Sequence, residues 1–125
     1  MKRIVIAGAG PVGLSLAMGL VRNQVPVTVL EAEPQLTKVP KASTIHPPSL
    51  EIFAEWGVLE QVESMGLIVD KFQYWDRRRN RLIAEFDLSV LKAETIYPYR
   101  VQCEQHNLTS IFYEHLRRSG LADIR

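Results

Sequence analysis

The residues of this chain whose types and spacing could do chemistry are three glycines and one acid. Gly8, Gly10 and Gly13 stand as G-x-G-x-x-G inside IVIAGAGPVG, residues 4–13. Such a run, between a strand and a helix, serves a dinucleotide. One glycine makes a tight turn, the next lets backbone approach a pyrophosphate, and the third lets a helix pack close to a sheet. The helix that follows turns unpaired N–H groups and the positive end of its dipole toward the phosphates. Pro11 suits the first helical position, where no N–H partner is needed, and Val12 completes the turn beside it. Glu31 stands 23 residues after Gly8, near the spacing at which an acid holds a ribose.

Those residues need a strand, a helix and a second strand around them. Ile4, Val5 and Ile6 are β-branched and continuous, as in a strand buried on both faces. Leu14, Leu16, Ala17, Leu20 and Val21 recur with helical period. VPVTVL, residues 25–30, reads as a second strand, which Glu31 closes. Residues 1–35 therefore form a βαβ dinucleotide-binding unit. The alternative, a glycine turn in an ordinary βαβ unit, leaves the acid at the strand end as coincidence.

Beyond Glu31, residues 32–48 are rich in Pro, Lys and Ser/Thr. A loop of 17 residues is long for a compact domain, which marks it as functional. Ser49 can cap a helix with Leu50, Phe53 and Ala54 on its apolar face and Gly57 at its end. Residues 58–65 read as a further short helix, stopped by Gly66. Residues 67–75 alternate through Ile68, Phe72 and Tyr74, as a half-buried strand does. Residues 82–86 pair with it across DRRRNR, residues 76–81. The arginines could suggest phosphate binding, but a solvated hairpin turn accounts for them. Residues 87–95 carry no clear pattern, and residues 96–103, IYPYRVQC, are extended. Residues 104–119 form a helix with Leu108, Ile111, Phe112 and Leu116 on one face. Arg117 and Arg118 fall in its last turn and Gly120 just past it. Residues 122–125 open another strand.

A chain of 125 residues suffices for one domain with a core, and a net charge of +1 offers no electrostatic reason for a nucleic acid partner. The single cysteine, Cys103, excludes an intrachain disulfide and fits a reducing, cytoplasmic setting. It reads as a buried small residue, not a nucleophile. His46, His106 and His115 are not spaced as metal ligands. Lys2-Arg3 and the apolar run after them resemble a signal peptide, but only four apolar residues precede Gly8. The glycines and Pro11 inside the run also argue against a membrane span. Two sure parallel strands and the start of a third make an incomplete sheet, so the chain reads as the N-terminal part of a larger domain. Unpaired apolar edges at residues 4–7 and 27–30 predict marginal stability or self-association.

Three blocks make the chain resemble the FAD-dependent aromatic hydroxylases, the class A flavoprotein monooxygenases, over essentially its whole length. The first is GAGPVG with Glu31. The second, much more specific, is KASTIHPPSLEIFAEWGV, residues 41–58, which resembles the family's R-A-x5-x-[ST]-L-E-x5-G-[VL] block. The third is Gln105, opening a helix after the extended YPYRVQ.

The resemblance implies an α/β, Rossmann-like FAD/NAD(P)-binding fold with a parallel sheet, incomplete here. It adds a small antiparallel hairpin, residues 67–87, from the substrate-side region, and residues 104–125 as a helix and the start of the next strand. It implies FAD as cofactor, NAD(P)H as co-substrate, and a small aromatic substrate hydroxylated with O2. The equivalent of Glu31 binds the adenosine ribose. That of Lys41 lies near the pyrophosphate and ribityl chain, where the family usually has Arg; lysine keeps the charge and loses the planar fork. The equivalent of Gln105 contacts the ribityl side, with Gln102 as its rival. His46 could lie near the flavin. No side chain here needs to act as an acid–base catalyst or to bind metal. The family's Asp-Gly block and later Gly-Asp block are absent from these residues, so the chain alone is expected not to be catalytically competent. Two other readings stay open: an NAD-binding domain of a dehydrogenase, and a non-catalytic chain of the same fold.

Overall fold

A computed structural model describes residues 3–39 and 41–125; Lys2 of the basic start and Pro40 of the long loop lie outside them. The elements are β1 (Ile4–Ala7), α1 (Pro11–Arg22), β2 (Val27–Leu30), β3 (Thr44–Ile45), α2 (Pro47–Glu55) and α3 (Leu59–Met65). They continue as β4 (Leu67–Val69), β5 (Lys71–Asp76), β6 (Arg81–Asp87), a 3-10 helix (Leu88–Ala93), β7 (Arg100–Gln102), α4 (Gln105–Arg118) and β8 (Ala122–Ile124).

The expected parallel sheet is present, in the order β1-β2-β8. Ile6 faces Val29 in register, and Val29 faces Ile124. Residues 122–124 thus pair with β2. This corrects the expected edge at residues 27–30: β2 is the central strand, and the open edges belong to β1 and β8. Burial on both faces is also not observed. Ile6, Val27 and Val29 are buried, but Val5, on the opposite face, is 62% exposed and Leu30 45%. Among the described residues, helices cover one side of this sheet. The second strand starts at Val27, not at residue 25, because the Val25 N–H is taken by Leu20 O at the end of α1 and Pro26 has none to give.

The core lies between the sheet and the helices. From α1 it takes Leu14, Ala17, Met18 and Val21, while Leu16, counted in the apolar pattern, faces solvent. From α4 it takes Ile111, Phe112 and Leu116. Phe112 meets Phe53 and Trp56 edge-on, with ring centroids 5.4 and 5.7 Å apart, an arrangement aromatic quadrupoles favour.

The second half of the long loop is not a loop. β3 lies within it and joins an antiparallel sheet ordered β3-β7-β4. Ser49 is not the helix cap either. α2 begins at Pro47 with His46 at the cap position, and the Ser49 N–H donates to His46 O within the first turn. The alternating stretch of residues 67–75 is two strands. It breaks at Asp70, after which β4 pairs with β7 and β5 with β6. The hairpin turn is exposed, and Asp76 Oδ1 accepts the N–H groups of Arg78 and Arg79. The patternless residues after β6 include the 3-10 helix, whose first turn Asp87 caps through the Ser89 N–H at 2.8 Å.

Candidate functional site

The glycine turn joins β1 to α1. Gly8 has φ +99°, a conformation that side chains rarely adopt. A Cβ on Gly13 would stand 2.0 Å from Gly8 O, so the helix can approach the turn only with glycine there. A Cβ on Gly10 would meet nothing within 4 Å. Its space is open to a ligand. Gly10 is also the cap residue of α1, which has no side-chain cap and carries Pro11 in its first turn, with Val12 exposed beside it. The positive end of this helix therefore has no side-chain acceptor of its own.

Glu31 stands at the end of β2 and reaches that turn. Its Oε2 accepts the Ala9 N–H at 2.6 Å, and its Oε1 accepts the Glu33 N–H at 3.0 Å. Hydrogen bonds from Glu33 and Ala9 hold its carboxyl below the usual carboxylate range. Beside it opens a cavity of about 420 Å³, whose walls include Ala9, Glu31, Leu36, Tyr113, Ile124 and Arg125. Tyr113 and Arg125 were not legible as site residues, since Tyr113 lies off the apolar stripe of α4 and Arg125 follows a strand whose partner was unknown.

Lys41 and Gln105 come together through backbone. The Gln105 N–H donates to Ala42 O, and the Cys103 N–H to Ser43 O, each at 2.8 Å. The segment after Lys41 thus runs beside the start of α4. Gln102 and Gln105 have different surroundings. Gln102 Oε1 accepts from Ser43 Oγ and Thr44 Oγ1, both at 3.0 Å, and so ties β3 to β7. The side chain of Gln105 makes no hydrogen bond among the described residues. Lys41 is exposed.

The two groups lie at one end of the molecule. The C-termini of α1 and α4 line one cavity, about 500 Å³, through Arg22, His115 and Ser119, where each helix leads into its strand. The two helices pack on each other, so their N-termini, Gly10 and Gln105, share the opposite end. That end is where the parallel strands finish, the place where open α/β sheets bind ligands.

The remaining candidates have these surroundings. Cys103 is 1% exposed, and burial pushes its thiol up. His46 is exposed at the start of α2. His106 Nδ1 lies 3.3 Å from Glu104 Oε2. No metal-ligand cluster exists among the described residues, and no described helix is long and apolar enough to cross a membrane. A close approach missed in the sequence is at Gly66, where a Cβ would stand 2.6 Å from Val101 Cγ1. Only glycine lets α3 end against β7.

Fold and site together define an α/β dinucleotide-binding protein. The chain belongs to the FAD binding domain family, which it matches over residues 1–125. It is 35% identical to para-nitrophenol 4-monooxygenase of Pseudomonas sp. (strain WBC-3), over 98% of this chain and 30% of that protein. It is 35% identical to 6-hydroxy-3-succinoylpyridine 3-monooxygenase HspB of Pseudomonas putida (strain DSM 28022 / S16), over 99% of this chain and 31% of that protein. Among solved structures, p-nitrophenol 4-monooxygenase PnpA from Pseudomonas putida DLL-E4 superposes with a TM-score of 0.93 at 32% identity, over 100% of this chain and 31% of its own. Aklavinone-11 hydroxylase, solved with FAD and aklavinone, superposes with a TM-score of 0.82 at 25% identity, over 98% of this chain and 25% of its own. The chain spans about 30% of the length of the curated relatives it matches.

Proposed function

We propose that these residues are the FAD-binding portion of a flavin-dependent monooxygenase that hydroxylates a small aromatic substrate with NAD(P)H and O2. The observation that carries this is the Glu31 carboxylate on the glycine turn, beside the open space at Gly10 and the cavity walled by Tyr113 and Ile124. When bound, FAD would supply the redox chemistry, with NAD(P)H as the source of electrons and O2 as the oxidant, one oxygen atom entering the ring and the other leaving as water.

This chain's own residues bind and orient. Glu31 accepts the ribose hydroxyls, and its charge disfavours a 2′-phosphate in the same place. Leu36, Tyr113 and Ile124 offer apolar walls for adenine. The turn from Gly10 to Gly13, with Pro11 and Val12, faces the pyrophosphate with helix N-terminal amides. Lys41 adds a positive charge, and Gln105 a free amide for the ribityl side. The family match favours FAD over NAD as the occupant. The names of the two curated relatives favour a ring that carries a hydroxyl group. The same reading places the protein in the cytoplasm, and the open edges of β1 and β8 favour self-association at high concentration, which sedimentation would reveal.

The test is an absorbance spectrum. Purified chain mixed with FAD and passed through a desalting column should retain a flavin spectrum, and Gly10→Val should not. Retention of NAD with no flavin would replace this reading by that of a dehydrogenase domain.

A further inference from the structure

We propose that Glu31 is a positioning residue as well as a ribose ligand: its carboxylate straps the glycine turn into its binding conformation before a nucleotide arrives. This deepens the FAD-site reading and rests on it. Ala9 N–H to Oε2 and Glu33 N–H to Oε1 use one lone pair on each oxygen. Among the described residues, no other side chain accepts an N–H of residues 8–13. Backbone bonds complete the tie. Gly8 N–H donates to Leu30 O at 2.6 Å, and Glu31 N–H to Arg125 O at 2.7 Å. One residue therefore joins the turn after β1, the loop after β2 and the end of β8.

The physical need is plain. Glycine loses more backbone freedom on ordering than any other residue, and this turn holds three within six positions. Without a strap, that ordering falls on the binding step and weakens it. A carboxylate offers about four acceptor sites, and two are used here, so the ribose hydroxyls can be accepted without releasing the strap.

The two tasks separate experimentally. The 125-residue chain, with Glu31→Gln and Glu31→Ala, is titrated with ADP and with 2′,3′-dideoxy-ADP, which lacks the ribose hydroxyls. Amide exchange at Ala9 is followed by NMR without ligand, with Val27 and Val29 as core references. In Glu31→Ala, the Ala9 amide should exchange faster while the references hold. ADP should bind about tenfold more weakly or worse. Dideoxy-ADP should also weaken, on the order of threefold to tenfold, because the turn is no longer pre-formed. Glu31→Gln keeps one acceptor oxygen and sets an NH2 group against the other N–H, so it should loosen Ala9 and dideoxy-ADP binding part of the way toward Glu31→Ala. If Glu31→Ala unfolds the references, parent-like Ala9 exchange and dideoxy-ADP binding in Glu31→Gln overturn the strap.

Dideoxy-ADP binding that is equal in parent and Glu31→Ala overturns the strap, whatever Ala9 does. Unchanged Ala9 exchange overturns it too. If the parent binds neither nucleotide, the FAD-site reading fails separately, and Ala9 exchange alone decides whether the strap exists.

Discussion

Gly10 and Gly13 stand in one motif for opposite reasons. At Gly13 a methyl group would collide with Gly8 O at 2.0 Å, while at Gly10 it would point into empty space. Gly13→Ala should therefore cost about 1–3 kcal/mol of stability through overpacking. Gly10→Ala should cost less than about 1 kcal/mol, the scale of a weakened helix cap, yet reduce FAD binding sharply. Thermal melts with flavin titrations check both; equal melting temperatures for the two variants would refute the division. Lys41 carries the second residue-scale prediction. If its charge serves the phosphates, Lys41→Arg should hold or improve FAD affinity, and Lys41→Ala should weaken it more at low salt than at high salt. No change in either variant would leave Lys41 as a solvated loop residue.

At the scale of elements, β7 is the hinge of the design. It takes β3 on one side and β4 on the other, and its chain continues through Cys103 into α4. The polar work of Gln102 is to hold β3, which supports the proposal that Gln105 is the glutamine that meets the cofactor. The hairpin β5–β6 is less secure. Phe72 stacks on Phe86 with centroids 4.8 Å apart, and Arg100 lies 3.7 Å over the Phe72 ring. Its ion pairs, Lys71 with Glu85 and Asp87, are half exposed and contribute little. A two-stranded hairpin is marginal in water, and an aromatic pair is worth about 1 kcal/mol beyond its area. Phe72→Ala should thus open residues 71–87 to amide exchange while Val27 and Val29 stay protected. Loss of protection in both regions together would show that the hairpin and parallel sheet unfold as one unit.

At the scale of the whole molecule, helices close one face of the parallel sheet, and Val5 and Leu30 on the other face meet solvent. In the proposed function, the candidate site would hold the cofactor from the adenosine and pyrophosphate side. The cavity beside Glu31 is proposed for the adenosine end, far from the reacting ring, and water exclusion is what keeps such oxygen chemistry coupled to product. With FAD, NADH or NADPH and p-nitrophenol, the 125-residue chain should yield hydrogen peroxide or no turnover, and no hydroxylated product. Stoichiometric hydroxylation by the monomer would refute this.

The glycine turn, its helix, the two strands beside it and the acid Glu31 were all legible in the amino-acid order. Their causes are local: glycine sterics, helical period and a β-branched run act within a few residues of each other. The residues 41–57 pattern carried the family in the same way. Tertiary structure alone decided that residues 122–124 would make β2 a central strand. It alone drew β3 from an apparent loop, and bonded Ser43 to Gln102 across 59 residues. It also set Tyr113, Ile124 and Arg125 beside Glu31. An alternating stretch such as residues 67–75 specifies a strand and one apolar side, but not a partner. Partners are chosen when distant surfaces meet, and the backbone N–H and C=O groups that pair them are alike in every residue but proline.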